Sequence, residues 1–389
     1  MSLEEYVVSL RREFHEHPEL SMKEYNTADR VEKELKSFGI SVGRIGKTGV
    51  TGTLDGGKKN SPGAGTVVLR ADMDALPIQE KTELPFASKT NGVMHACGHD
   101  AHTAALLGAA KLLAAHRDEI GGRILFLFQP GEEFGEGAKP FVEAGLLDGA
   151  DRVFGIHLAS NVPVGKVAVS AGSVNASVDY FKITVTGKPV HVSVPQSGVD
   201  ALYIAALIVT QLQGIVSRLS DPLKAVLIGI GVLNAGDAYN IVAGKAVMEG
   251  TLRCLDSGVR KRTVSKIREI AGATGSLYGA EVAAEFKDFT PVLTNDTQVA
   301  EEVKAVGARL FGAENIIPRE PSLGGDNFAE YIQHIPGAYA YVGSRNETVP
   351  GTCEEHHSDH FEIDERCLTV AARLYANYAL YSTGSQLTV

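Results

Sequence analysis

The stretch TVVLRADMDALP, residues Thr66–Pro77, decides the fold class of this 389-residue chain. Its first half is near-continuously apolar, which suits a strand buried on both faces. It then delivers two carboxylates, Asp72 and Asp74, at the point where the strand should end. Two more apolar runs of this kind follow, RILFLFQ (123–129) and RVFGIH (152–157). Helical stretches lie between them, HTAALLGAAKLLAAHRDEI (102–120) and GAKPFVEAGLL (137–147). Strand and helix alternating at this spacing predict an α/β unit with a largely parallel sheet.

Working outward, SLEEYVVSLRREFHEHP (2–18) reads as a helix stopped by Pro18, and NTADRVEKELKSFG (26–39) as a second helix. In the latter Val31, Leu35 and Phe38 share a face, and Gly39 marks the stop. DGGKKNSPGAG (55–65) reads as a turn-rich loop. The middle of the chain changes style. YFKITVTG (180–187), KAVLIGIGVL (224–233) and KAVMEGTLRCLD (245–256) alternate more, and GVDALYIAALIVTQLQGIV (198–216) and GVRKRTVSKIREIAGATG (258–275) read as long helices. That is a β-α-β-β-α-β-like order, an α+β sandwich. From TPVLTND (290–296) the first style resumes, with a strand in IPGAYAYVG (335–343) and a closing helix in DERCLTVAARLYANYAL (364–380). The expected organisation is one domain built from 1–176 and 291–389, interrupted by a smaller one at 177–290.

Hydrophobic residues make up 44% of the chain and charged residues 22%, enough for a sizeable core. A net charge of -10 argues against nucleic acid or anionic membrane as partners. No run approaches the roughly 18 apolar residues a membrane span needs, and MSLEEYVVSL has no apolar leader region. Cys97, Cys254, Cys353 and Cys367 are far apart and form no C-x-x-C pair. Together these favour the cytosol and disfavour a disulfide framework.

Four motifs gather reactive side chains, three of them just past expected strands, where open α/β sheets bind ligands. RADMDALP supplies Asp72 and Asp74. HACGHDAH supplies His95, Cys97, His99, Asp100 and His102. FQPGEE supplies Glu132 and Glu133, and GIHL supplies His157 at the expected end of its strand. Imidazole, thiol and carboxylate together suit zinc or a neighbouring transition metal, and a glutamate left over from ligation can act as general base. Each piece has a plainer reading: Asp72 and Asp74 as turn caps, the two glutamates as a solvated loop, Cys97 as a small buried residue. Cys97 as the nucleophile of a cysteine hydrolase, with His95 or His99 as base, stays open at this level. His15 and His17 of HEHPE sit on a helix end far upstream and read as structural.

RREFHEHPELSMKE (11–24), RADMDALPIQE (70–80), HACGHDAH, FQPGEEFGEGAK (128–139), GIHL and HHSDHFEID (356–364) together resemble the M20 family of metallopeptidases. The likeness is greatest to its amidohydrolase branch, subfamily D, which includes N-acyl-amino-acid, hippurate and auxin–amino acid conjugate hydrolases. The resemblance spans the chain from about Arg11 to the final helix. It implies a zinc-peptidase-like α/β catalytic domain with an inserted, ferredoxin-like α+β domain serving for dimerisation or as a lid. It implies two divalent metal ions (zinc, manganese, nickel or cobalt) held by Cys97, His99, Glu133, His157 and His357, with Cys97 bridging. His356 is the competing choice for the last ligand. Glu132 matches the general base, and Asp74 the aspartate that orients a metal ligand. The wider clan carries histidine where Asp72 stands and aspartate where Cys97 stands.

In the expected insert, GKPVHVSVP (187–195) resembles the family loop whose histidine, here His191, reaches the partner subunit's site and steadies the oxyanion. Pro189, Val190 and Val192 replace smaller residues there. Asn240 and Arg253, in GDAYNIVAGKAVMEGTLR, match substrate-contacting positions, Arg253 being suited to a carboxylate. In LGGDNFAEY, Asp326 and Asn327 replace a glutamate and an aspartate. The activity implied is hydrolysis of N-acyl amino acids by metal-activated water; the alternative is a metallo-exopeptidase acting on dipeptides or C-terminal residues. A homodimer or larger assembly is implied as well.

Overall fold

The computed structural model describes residues 1–58, 65–385 and 388–389. Residues 59–64 of the turn-rich loop lie outside the described residues. The chain forms two compact units. One comprises Met1–Val174, Thr294–Glu320 and Asn327–Val389, the other Asn175–Leu293 and Pro321–Asp326.

The first unit is built on an eight-stranded sheet among the described residues. Its order is Ser41–Ile45, Gly49–Asp55, Arg123–Gln129, Thr66–Asp72, Arg152–Pro163, Gly337–Arg345, Val167–Ala168, Ile316–Ile317. The four strands in positions three to six run parallel, and the hairpin Ser41–Asp55 joins them antiparallel. The parallel strands are the near-continuous apolar runs. Val67, Val68, Leu69, Phe126, Leu127, Phe128, Val153 and Phe154 are all fully buried, as strands covered on both faces require.

Helix His99–Ala115 makes the crossover between Thr66–Asp72 and Arg123–Gln129. It is apolar nearly all round and buried on every side, which places it inside the fold. Helices Leu3–Glu16 and Arg366–Ser382 pack on it. Val7, Leu10, Phe14, Leu107, Ala110, Ala372 and Ala376 meet there in one core. The Tyr375 hydroxyl donates to Arg70 O at 2.6 Å and accepts from Ile156 N at 3.0 Å, fastening the last helix to the sheet.

Two boundaries differ from expectation. The crossover helix starts at His99, not His102, because Gly98 takes the left-handed conformation (φ 93°) that ends the preceding loop. His99 and Asp100 therefore stand in the helix's first turn. The strand holding His157 does not end there but continues to Pro163, with His157 paired to Tyr341.

The second unit is a four-stranded antiparallel sheet in the order Glu281–Thr290, Ser177–Thr186, Lys245–Cys254, Val226–Ala235. Helices Ala201–Gly214 and Ser257–Leu277 pack on it, giving the β-α-β-β-α-β order. Ser177, Asp179, Phe181, Ile183 and Val185 alternate inward along the first strand, the period-2 signature of a sheet covered on one face. One expectation needs correcting: Ala201–Leu219 is a 19-residue helical segment with mean hydropathy 1.4, long and apolar enough to cross a membrane by those measures. Here Ile204, Ala205, Ile208 and Leu212 turn into the unit's own core.

Candidate metal centre

The carboxyl ends of the parallel strands of the first unit deliver its reactive groups. The chain leaves Thr66–Asp72 and two residues later buries Asp74, which becomes a hub. Its Oδ1 accepts from Glu132 N at 3.0 Å, and its Oδ2 from Glu133 N at 3.1 Å and Ser21 Oγ at 2.6 Å. His99 Nδ1 lies 2.9 Å from Asp74 O and 3.2 Å from Asp74 Oδ1, so the proton belongs on Nδ1. Burial opposes ionisation of Asp74, but His99, Ser21 and the Glu133 amide outweigh it and hold the carboxyl below its usual range. One carboxylate thus aims both glutamates and a histidine.

Two sets of three donors follow, each with its ligand atoms within 4.8 Å of one another: Cys97, His99 and His157, and Cys97, Glu133 and His357. Cys97 belongs to both. Its Sγ is 3.5 Å from His157 Nε2. His157 Nδ1 donates to Leu158 O at 2.6 Å, which leaves Nε2 free to face the cluster. His357 Nε2 is 3.2 Å from Glu133 Oε1. His99 Nε2 is buried without a hydrogen-bond partner among the described residues, and the buried Glu133 Oε1 faces the His357 ring without a well-formed hydrogen bond. Burial, then Glu133, push the Cys97 thiol well up. Such a thiol ionises only beside added positive charge, and a divalent cation supplies it. Buried unpartnered donors around a shared thiol therefore fit a metal centre, and the mixed sulfur, nitrogen and oxygen set suits zinc or a neighbouring transition metal.

The two adjacent histidines separate. His356 is framed on both ring nitrogens: Nδ1 donates to Cys97 O at 3.2 Å, and Nε2 accepts from Ser160 N at 3.4 Å. Burial, with His102 nearby, pushes it down to about 3. His357 instead adopts a left-handed backbone (φ 70°), its amide held by Ala96 O at 2.7 Å, and turns its ring to Glu133. A non-glycine residue held at positive φ marks local strain of the kind that clusters at sites. Glu132 and Glu133 also group with His99. Glu132 Oε1 accepts from Asn327 N at 3.1 Å, a partner the sequence reading missed.

Beneath the donors lies a second set of buried groups. Asp72 is fully buried, with Oδ2 on Arg70 Nη1 at 2.7 Å and Oδ1 on His102 Nδ1 at 2.6 Å. Burial disfavours the Asp72 charge, yet His99, Arg70 and His102 hold its carboxyl well below the usual range. His102 Nε2 in turn accepts from Leu158 N at 2.9 Å, and the ring meets His157 edge-on at 4.6 Å. Asp72, His99 and His102 are close enough to hold an ion themselves, but both nitrogens of His102 are already committed. His15, read as remote from the strands, is in fact buried with Nδ1 2.7 Å from Asp100 Oδ2; its role is still structural. His17 is exposed. His95 is buried, pushed down to about 4 by burial, and belongs to none of the donor sets.

The remaining expected residues lie in the second unit. His191 is exposed, its Nδ1 2.7 Å from Ser193 Oγ, and it pairs in a β-bridge with Ile241, next to Asn240. Arg253 donates from Nε to Thr251 Oγ1 at 3.1 Å and from Nη1 to Leu323 O at 3.3 Å. It meets no carboxylate among the described residues.

Residues 68–381 match the model of peptidase family M20/M25/M40. The chain belongs to that family. It is 41% identical over 383 residues to thermostable carboxypeptidase 1 of Saccharolobus solfataricus, covering 97% of this chain and 95% of that one. It is 38% identical over 389 residues to an N-acetyl-L-cysteine deacetylase of Bacillus subtilis, covering 99% and 89%. A Bacillus subtilis crystal structure described as a dinuclear metal binding peptidase from the M20 family superposes with TM-score 0.86 at 34% identity, covering 98% of each chain. Like that solved structure, this M20 member has a mixed α/β architecture around a large central sheet.

Proposed function

We propose that this chain is a metal-dependent amidohydrolase that cleaves the amide bond of N-acyl amino acids, the acyl group being acetyl or aryl-acyl. The observation that carries the reading is Glu132, a carboxylate placed beside two donor triplets that share Cys97. Cys97, His99, Glu133, His157 and His357 would hold two divalent ions, Cys97 being the donor that both triplets share. When bound, such ions would supply Lewis acidity towards a carbonyl oxygen and a water; zinc, manganese, nickel and cobalt all suit the set.

The chain's own groups do the rest. Glu132 takes the proton of the attacking water and later passes it to the departing amine, giving a carboxylate and a free amino acid. The Asn327 amide on Oε1 fixes the direction of Glu132. Asp74 holds His99, Glu132 and Glu133 in register. His191 steadies the oxyanion of a partner protomer's site, Asn240 contacts the substrate, and Arg253 pairs with the substrate carboxylate. The half-buried guanidinium, which meets no acidic partner among the described residues, supports that last role.

His191's role requires a homodimer. The strand Val226–Ala235 at one edge of its sheet exposes Leu227, Val232 and Leu233, an unpaired apolar edge of the sort that proteins cover. Four free cysteines, Cys353 of them exposed, support a reducing cytoplasm.

The second reading, a metallo-exopeptidase, has the 41% identity to a thermostable carboxypeptidase in its favour. Side-by-side hydrolysis of N-acetyl- and N-benzoyl-amino acids, dipeptides and longer peptides, with metal content measured on the same sample, separates the two. Glu132→Gln is expected to keep its metals and lose at least about 10²-fold in kcat. Activity that survives a chelator but not a thiol alkylator would point back to Cys97 as nucleophile.

A further inference from the structure

The segment Glu19–Glu24, from the HPELSMKE motif, has no part in the reaction described above, yet it reaches both sides of the Glu132–Glu133 turn. Ser21 Oγ donates to Asp74 Oδ2 at 2.6 Å, and Ala75 N donates to Glu19 O at 2.8 Å. Glu24 is fully buried, and its Oε1 accepts from two backbone amides, Met22 N at 2.8 Å and Gly131 N at 2.9 Å. Both of those residues hold positive φ, 64° for Met22 and 61° for Gly131. The fit is tight: a Cβ on Gly131 would stand 2.5 Å from Met22 Sδ. Gly131 then closes the loop that follows, accepting from Gly137 N at 3.2 Å, while Glu132 O accepts from Gly135 N at 2.8 Å. Glu24 Oε2 is buried with no partner among the described residues.

We infer that Glu24 is a positioning residue for the general base: its Oε1 pins the Gly131 amide and so sets the direction from which Glu132 enters the site. The inference rests on the reading of Glu132 as base. Without Glu24 the Gly131 amide would be buried unpaired and the part-buried Met22 amide, at positive φ, would lose its acceptor, and the loop can relieve that only by moving. A shift of about 1 Å at a reacting group is enough to cost about 10²-fold in rate. Burial and then the Asp74 charge push the Glu24 carboxyl up to about 7. Near neutrality it therefore exists in part as the uncharged acid, and the oxygen that matters acts as a carbonyl-type acceptor. An amide oxygen can take its place.

The test compares Glu24→Gln, Glu24→Leu and Glu24→Asp with the wild-type enzyme, loaded with the same metal, on one N-acyl amino acid, with metal content and thermal midpoint recorded for each. Glu24→Gln keeps the acceptor and should retain kcat within about fivefold. Glu24→Leu removes it and should lose about 10²-fold in kcat with KM changed less than about threefold and two metals still bound. Glu24→Asp keeps the charge but is one methylene too short to reach Gly131, and should fall with Glu24→Leu; it stands in where the leucine variant does not fold. Undiminished kcat in Glu24→Leu or Glu24→Asp, or a Glu24→Gln as impaired as they are, overturns the assignment. If wild-type enzyme turns over no amide, the amidohydrolase reading falls and this inference with it; if wild type is active and the variants match it, only the inference falls.

Discussion

Asp74→Asn is the perturbation that tests the site's construction most directly. Asp74 accepts from four donors, two on each carboxylate oxygen: Glu132 N and His99 Nδ1 on Oδ1, and Glu133 N and Ser21 Oγ on Oδ2. Asparagine has the same shape but only one oxygen. Whichever way its amide turns, two donors face an NH₂ group. His99 keeps its bond to Asp74 O and the Ser21 hydroxyl can turn to accept, so about one backbone amide is left unpaired and the folded state should lose about 1–3 kcal/mol. The site loses more than stability, because the variant releases either the His99 and Glu132 pair or the Glu133 and Ser21 pair. Removing such an outer partner typically lowers metal affinity about 10–100-fold. Cobalt titration followed by its visible absorption band measures the affinity without any turnover, and urea unfolding of the metal-free protein measures the stability. An Asp74→Asn protein that binds cobalt within about twofold of wild type and unfolds at the same midpoint would refute the hub role.

Two further outcomes follow from the geometry. His357→Asn should weaken metal binding at least about tenfold, whereas His356→Asn, which can keep one backbone contact to Cys97 O, should change it less; cobalt titration of both variants ranks them, and the reverse order would give the ligand role to His356. Arg11→Met should destabilise the first unit by about 3–5 kcal/mol, because fully buried Arg11 neutralises Asp100 at 3.0 Å and Glu362 at 2.7 Å. The Asp100 carboxyl is held far below its usual range, burial being outweighed by Arg11 and His15; that contribution is complete above about pH 4 and drains away as the pH falls further. Urea midpoints should therefore differ widely at pH 7 and begin to narrow as the pH falls below about 4, and a gap that does not narrow there would count against the Arg11–Asp100 pair as its source.

The parts of the fold legible in the sequence are those in which one periodicity dominates. Thr66–Asp72 and Arg123–Gln129 are legible to the residue because each centres on a near-continuous apolar run, with no alternation to blur its extent. The hairpin Ser41–Asp55 was not read: Gly43, Gly46, Gly49 and Gly52 interrupt every apolar run in it. His99 was placed one turn ahead of its helix because the start signal is the backbone of Gly98, not a capping side chain. Among the site residues, those whose side chains carry the chemistry stood out by type. Those that act through the backbone did not. The Asn327 contact to Glu132 is made by its amide N–H, and nothing in its side chain announces it.

The same distinction explains how a chain can hold five potential ligands, a base and several buried charges in so small a volume. The reactive groups are backed by carboxylates that are themselves held by partners: Asp74 by four donors, Asp72 by Arg70 and His102, and Asp100, through Oδ2, by Arg11 and His15. Each of these aspartates is buried and held ionised by its partners, so each is a fixed negative charge beneath the site. Fixed charge there raises the proton affinity of His99 despite its burial, and a proton on His99 Nε2 would compete with any metal. Asp74 offsets this by taking the Nδ1 proton, which leaves Nε2 as the nitrogen a cation can claim. The arrangement is therefore more favourable with a divalent ion present than without one: the ion replaces the extra His99 proton and the Cys97 proton together. Metal uptake by the empty site should release protons accordingly, and the number released per ion in weakly buffered solution tells a thiolate-bridged centre from one built on imidazole and carboxylate alone.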